Sequence, residues 1–273
     1  MTTKLLAVIA EAATTPACLD AAEAAAHVLK DATIEALHVV VDPEHIVCAS
    51  EELAFQQLRV RYEGTAQERE AATHATYEAW IAEHPDADIP LRWKERIGAE
   101  EENVEQEARI FDVLVLARPT NMDGGDALHA AFNRVKHPFF LVPAKWRLQP
   151  GDTFAEHIVI AWNDTSACLR SLEGALPWLR VASEVTLLLV AESREIARSA
   201  EELLGLEGIA FHVRQVPRDS ETLGDQLVTE AHQLGADLLV MGAYRHNQFI
   251  EWLLGGTTRH VLARFDLPLF LAH

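Results

Sequence analysis

The chain has 273 residues, 49% of them hydrophobic and 24% charged, the balance of a globular protein with length for two domains of about 130 to 150 residues. Asp and Glu number 42 against 23 Lys and Arg, a formal charge of −19, which repels phosphate backbones and anionic lipid, so neither nucleic acid nor a membrane is expected as a partner. No apolar run approaches the roughly 18 residues that span a bilayer, and the three cysteines Cys18, Cys48 and Cys168 form no C-x-x-C, which points to a reducing, cytoplasmic setting.

The N-terminus, Met1-Thr2-Thr3-Lys4 followed by a short apolar stretch without a small-residue cleavage site, reads as a first strand near 4–10 rather than a leader. Thr15-Pro16 then opens a helix, since proline is favoured in a first turn. Strands are predicted near 33–41, 90–97, 111–117 and 138–143. The extra length between about 44 and 84 reads as one or two amphipathic helices interrupted at Gly64. Pro143 to Asp152, with Pro150 and Gly151, is the predicted linker. Beyond it come strands near 157–162, 184–190, 209–216, 237–242 and 267–272, with a helix starting at Thr165 or Ser166. Short apolar runs alternating with helical patterns signal βαβ units and parallel sheets, so the fold class is α/β, two tandem doubly wound five-stranded domains over 1–144 and 153–273.

The two halves repeat each other. Ala17-Cys18-Leu19-Asp20-Ala21-Ala22-Glu23 returns as Ala167-Cys168-Leu169-Arg170-Ser171-Leu172-Glu173. Asp112 to Ala117 is echoed by Asp237 to Gly242, and His137-Pro138-Phe139-Phe140-Leu141 by Leu267-Pro268-Leu269-Phe270-Leu271. Matches in the same order indicate duplication.

In an open parallel sheet, ligands bind beyond the carboxyl ends of the strands where the strand order reverses. With the order 3-2-1-4-5, two loops of the second half border one crevice: Trp162-Asn163-Asp164 after its first strand and Gly242-Ala243-Tyr244-Arg245 after its fourth. Gly255-Gly256-Thr257-Thr258 then precedes a helical pattern, and glycines ahead of a helix N-terminus suit a phosphate.

On these residues both halves resemble universal stress protein domains, over almost the whole chain. Family members that bind ATP carry Gly, two residues, Gly, nine residues, Gly, then Ser or Thr. Here Gly242 is followed by Ala243, Tyr244 and Arg245, nine residues from His246 to Leu254, then Gly255 and Gly256. The spacing is kept, but Arg245 stands for the second Gly and Gly256 for the hydroxyl, with Thr257 and Thr258 following. Asn163 stands where family binders commonly place an Asp beside the nucleoside, with Asp164 next to it.

The resemblance implies a stress-response protein that binds ATP or another adenine nucleotide in its C-terminal domain and acts by interaction rather than turnover. Trp162, Asn163 and Asp164 would border the nucleoside and Val190 the base. Gly242 and Arg245 would approach the phosphates, and Gly255, Gly256, Thr257 and Thr258 would donate amides. The resemblance also implies self-association through the last strands, as an intrachain pseudo-dimer and a homodimer above it.

Two other readings stand beside it: a ligand-free stress scaffold, and a weak ATPase using Asp164. In the first half Arg118-Pro119-Thr120-Asn121-Met122-Asp123-Gly124-Gly125-Asp126 lacks the Gly-x-x-Gly frame, and a structural, non-binding domain is expected there. No G-x-x-x-x-G-K-[ST], G-x-G-x-x-G or G-x-S-x-G occurs, and the thirteen histidines show no metal-ligand spacing, so no structural metal and no catalytic residue are expected.

Overall fold

Buried β-branched and leucine-rich runs become central strands because a parallel sheet covered by helices hides both of its faces. In the computed structural model, which describes residues 2–29, 31–42, 50–85, 89–121, 126–149, 151–219, 222–243, 261–262 and 265–273, the chain divides into two compact units, Met1–Arg147 and Leu148–His273.

The first unit places Thr3–Val8 (β1), Ala32–Val40 (β2), Leu91–Ile97 (β3), Val113–Ala117 (β4) and Phe139–Val142 (β5) in one parallel sheet, with hydrogen-bonded neighbours in the order β3, β2, β1, β4, β5. Its helices are Thr15–Leu29 (α1), Ser50–Glu63 (α2), Ala66–Glu83 (α3), Glu100–Ala108 (α4) and Asp126–Asn133 (α5). The predicted break at Gly64 is real. Gly64 sits at φ +86°, a left-handed conformation that glycine adopts without Cβ strain. Immediately after it, the Thr65 side chain accepts from Glu68 N at 3.2 Å while Thr65 N donates to Glu68 Oε2 at 2.8 Å. This reciprocal capping box starts α3.

The second unit repeats the plan with His157–Ala161 (β6), Ser166–Leu179 (α6), Glu184–Val190 (β7), Arg198–Leu206 (α7), His212–Val216 (β8), Leu223–Gln233 (α8), Leu238–Gly242 (β9) and Leu269–Ala272 (β10). Its neighbours run β8, β7, β6, β9, β10, all parallel. Both units therefore have the doubly wound 3-2-1-4-5 order. Strands β4 and β9 are buried throughout, whereas the edge strands β3 and β8 are largely exposed or half-buried.

The repeated Ala-Cys pair shows what the duplication preserved. Cys18 lies 1% exposed under β1 and β4, its thiol 3.6 Å from Val8 O and 3.4 Å from Val115 O. Burial pushes its pKa up to about 12, so the thiolate that reacts with electrophiles is nearly absent. Iodoacetamide at pH 8 is expected to leave Cys18 unmodified in the folded protein and to label it after denaturation, read by peptide mass spectrometry. Labelling of Cys18 in the native chain at the rate of the denatured chain would contradict this burial.

Candidate functional site

In the second unit the first turn of α6 is built by a chain of short polar contacts. Thr165 caps the helix, its Oγ1 accepting from Cys168 N at 3.3 Å and donating to Asn163 Oδ1 at 2.8 Å. The Cys168 thiol, 4% exposed, donates to the same Asn163 oxygen at 2.9 Å. The Asn163 oxygen is thus occupied, while its amide nitrogen donates to no described residue, leaving a hydrogen-bond donor. Asp164, which sits at φ +57°, accepts a short hydrogen bond from Ser199 Oγ.

A pocket opens at the carboxyl ends of β6, β7 and β9, walled by Trp162, Asn163, Cys168, Val190, Leu227 and Gly242. This is the crevice where the strand order reverses. Four of the predicted site residues, Trp162, Asn163, Val190 and Gly242, meet there, and Asp164 is exposed beside it. Arg245, Gly255, Gly256, Thr257 and Thr258 lie outside the described residues.

Two of these pocket residues also have a structural role. Trp162 is a core side chain, 3% exposed, whose indole N–H donates to Ile196 O at 2.7 Å. It forms a wall of the pocket and ties β6 to the turn before α7. Gly242 presents its Cα to the first turn of α6, where an added Cβ would lie 2.6 Å from Cys168 N and 2.9 Å from the Ala167 carbonyl carbon. Its glycine is demanded by that helix, irrespective of a phosphate.

Residues 174–273 match the sequence profile of the Universal stress protein family. The second unit thus carries a universal stress protein domain over those residues. Two solved structures share the fold across nearly the whole chain. A universal stress protein from Archaeoglobus fulgidus has a TM-score of 0.64 at 14% identity, with 98% of this chain and 97% of that one covered. A putative universal stress protein from Pseudomonas aeruginosa has a TM-score of 0.58 at 12% identity, with 99% and 93% covered. No curated protein matches the chain in sequence.

The first unit, read from sequence as structural, carries a cavity at the equivalent strand ends. It lies between the turn after β1, the end of β2, the end of α2 and the start of α3, and is lined by Ala10 to Ala13, His38 to Val41, Arg59, Arg69, Thr73 and Asn121, among others. His38 is 5% exposed, its Nδ1 2.7 Å from Ile9 O and its ring stacked on Trp93 at 5.7 Å. Burial holds His38 below the ordinary histidine pKa, against a smaller upward pull from the Ile9 carbonyl. The ring is therefore neutral at pH 7. Sequence reading missed this cavity because part of its wall, from Arg59 to Thr73, comes from the segment without a counterpart in the repeat. A histidine inside a buried strand, Ala36-Leu37-His38-Val39, was the available signal, since a buried polar group needs partners.

Among the described residues, no group of His, Cys, Asp and Glu could hold a metal ion, and no helix is long and apolar enough to cross a membrane.

Proposed function

We propose that the chain is a stress-response protein whose second unit binds an adenine nucleotide and acts by ligand-dependent interaction, not by turnover. The observation that carries this reading is the pocket at the ends of β6, β7 and β9. It sits at the topological switch point, has apolar walls from Val190 and Leu227, and offers the Asn163 amide, which donates to no described residue, as a donor to an adenine ring nitrogen or a ribose oxygen. Apolar walls with few polar groups suit a planar base. The phosphates would extend toward Arg245 and the Gly255-Gly256-Thr257-Thr258 stretch, where the sequence retains the ATP-binding spacing.

Calorimetric titration of ATP, ADP and AMP, with mass spectrometry of the denatured protein for carried-over nucleotide, tests the proposal. Arg245→Ala is expected to weaken ATP about tenfold while leaving adenosine unchanged, the worth of one charge-assisted hydrogen bond, about 1.4 kcal/mol. Absence of both heat at millimolar ligand and carried-over nucleotide would leave the ligand-free scaffold as the better reading. Phosphate release that disappears in Asp164→Asn would instead favour a weak ATPase. Light scattering of the purified chain decides whether it forms the homodimer proposed with this function.

A further inference from the structure

The cavity of the first unit has a volume of about 240 Å³, far above the roughly 10–15 Å³ that admits one water. Two polar atoms at its wall lack partners among the described residues. Asn121 Oδ1 is shielded from solvent and accepts no hydrogen bond. His38 bonds Ile9 O through Nδ1, which must carry the proton because a carbonyl can only accept. The other nitrogen, Nε2, is therefore a lone-pair acceptor. Stacking on Trp93 fixes its direction.

Both atoms ask for donors. The surrounding charge selects among them: four carboxylates, Glu11, Glu63, Glu68 and Glu100, line the cavity against two guanidiniums, Arg59 and Arg69. Each guanidinium is engaged internally, Arg59 Nε with Glu63 at 2.7 Å and Arg69 with Gly64 O at 2.6 Å and Val41 O at 3.1 Å. A phosphate would face an excess of negative charge. A neutral molecule would not.

We propose that this cavity binds an unphosphorylated, uncharged small molecule of nucleoside size, whose hydroxyl or amino groups donate to His38 Nε2 and Asn121 Oδ1. Its roof is formed by the α2 and α3 segment, so the duplicated fold would carry two sites of different ligand class. Leaving the Asn121 acceptor unpaired inside the protein disfavours the empty state, and a donor-bearing ligand removes that penalty while also meeting His38 Nε2.

The test reads His38 directly, which separates this site from the second unit. The full chain with ¹⁵N-labelled histidine rings is titrated with adenosine, with ribose and with ATP, and the Nε2 resonance is followed by NMR. His38→Phe assigns the signal; should that chain not fold, dipolar contact with the Trp93 ring does so. Adenosine or ribose is expected to shift Nε2 saturably below about 10 mM, ATP to bind at least tenfold more weakly at this nucleus, and Asn121→Leu to weaken the neutral probe about tenfold. An Nε2 signal unmoved by both neutral probes would overturn the proposal. So would ATP binding as tightly as adenosine, or an Asn121→Leu chain that binds unchanged.

Discussion

Gly242→Ala is expected to destabilise the second unit by about 3 kcal/mol and to lower its melting temperature by about 10 °C. The new Cβ would lie 2.6 Å from Cys168 N and 2.9 Å from the Ala167 carbonyl carbon. These are backbone atoms, which cannot rotate aside as a side chain would. The clash is relieved only by sliding α6 off β9, and α6 is fixed against that movement. Ser171 Oγ donates to Met241 O at 2.9 Å and accepts from Ala272 N at 2.9 Å, joining the helix to both β9 and β10. Overpacking a core costs about 1–3 kcal/mol where neighbours can adjust, and these neighbours adjust poorly. The internal repeat supplies the control: Ala117 occupies the matching position of β4, 5% exposed, and Ala117→Gly should cost only about 1 kcal/mol, the entropy of a strand glycine. A shifted α6 also separates Cys168 from Asn163, so native alkylation of Cys168 should rise in Gly242→Ala. A variant melting within about 2 °C of the parent would show that α6 yields where the packing says it cannot.

This same glycine marks the boundary of what the sequence discloses. Spacing from Gly242 to Gly255 suggested a phosphate loop, yet the strand-end glycine has a packing reason of its own that only coordinates reveal. The repeat was legible because Ala-Cys and the two strand echoes sit where helix meets sheet, where packing leaves little choice of side chain. The break at Gly64 was legible because no other residue takes its φ without strain. Trp162 was not: an aromatic at a strand end fits a base or a core equally, and its bond to Ile196 O joins residues 34 apart in sequence. The cavity of the first unit was hidden for a related reason, since it depends on where α2 and α3 dock, and docking is decided by long-range contacts that local periodicity does not encode.

One such contact underlies the second large prediction. Asp20, 5% exposed on α1, accepts from Trp80 Nε1 of α3 at 2.6 Å and from Arg147 Nε at 2.7 Å. One buried carboxylate thus joins the extra helix to α1 and to the last residue of the first unit. Asp20→Ala strands the indole N–H of Trp80, itself 3% exposed, and removes the nearer partner of Arg147, leaving Glu83 at 4.0 Å. An unsatisfied buried donor costs about 1–3 kcal/mol and the lost charged bond adds to it, so a total near 3 kcal/mol is expected. Arg147 contributes the smaller share because its side chain is 40% exposed and solvent replaces part of the bond. Asp20→Asn separates the two effects: its carbonyl oxygen still accepts from Trp80, so only about 1 kcal/mol should be lost. Trp80→Phe attacks the bond from the other end, and a double-mutant cycle with Asp20→Ala should return a coupling of at least about 1 kcal/mol in denaturant unfolding. Because α3 walls the cavity beside His38, Asp20→Ala should also loosen that wall, seen as faster amide exchange at Arg69 to Thr73. If Asp20→Ala and Asp20→Asn lose equal stability, the indole bond is not what holds α3 in place.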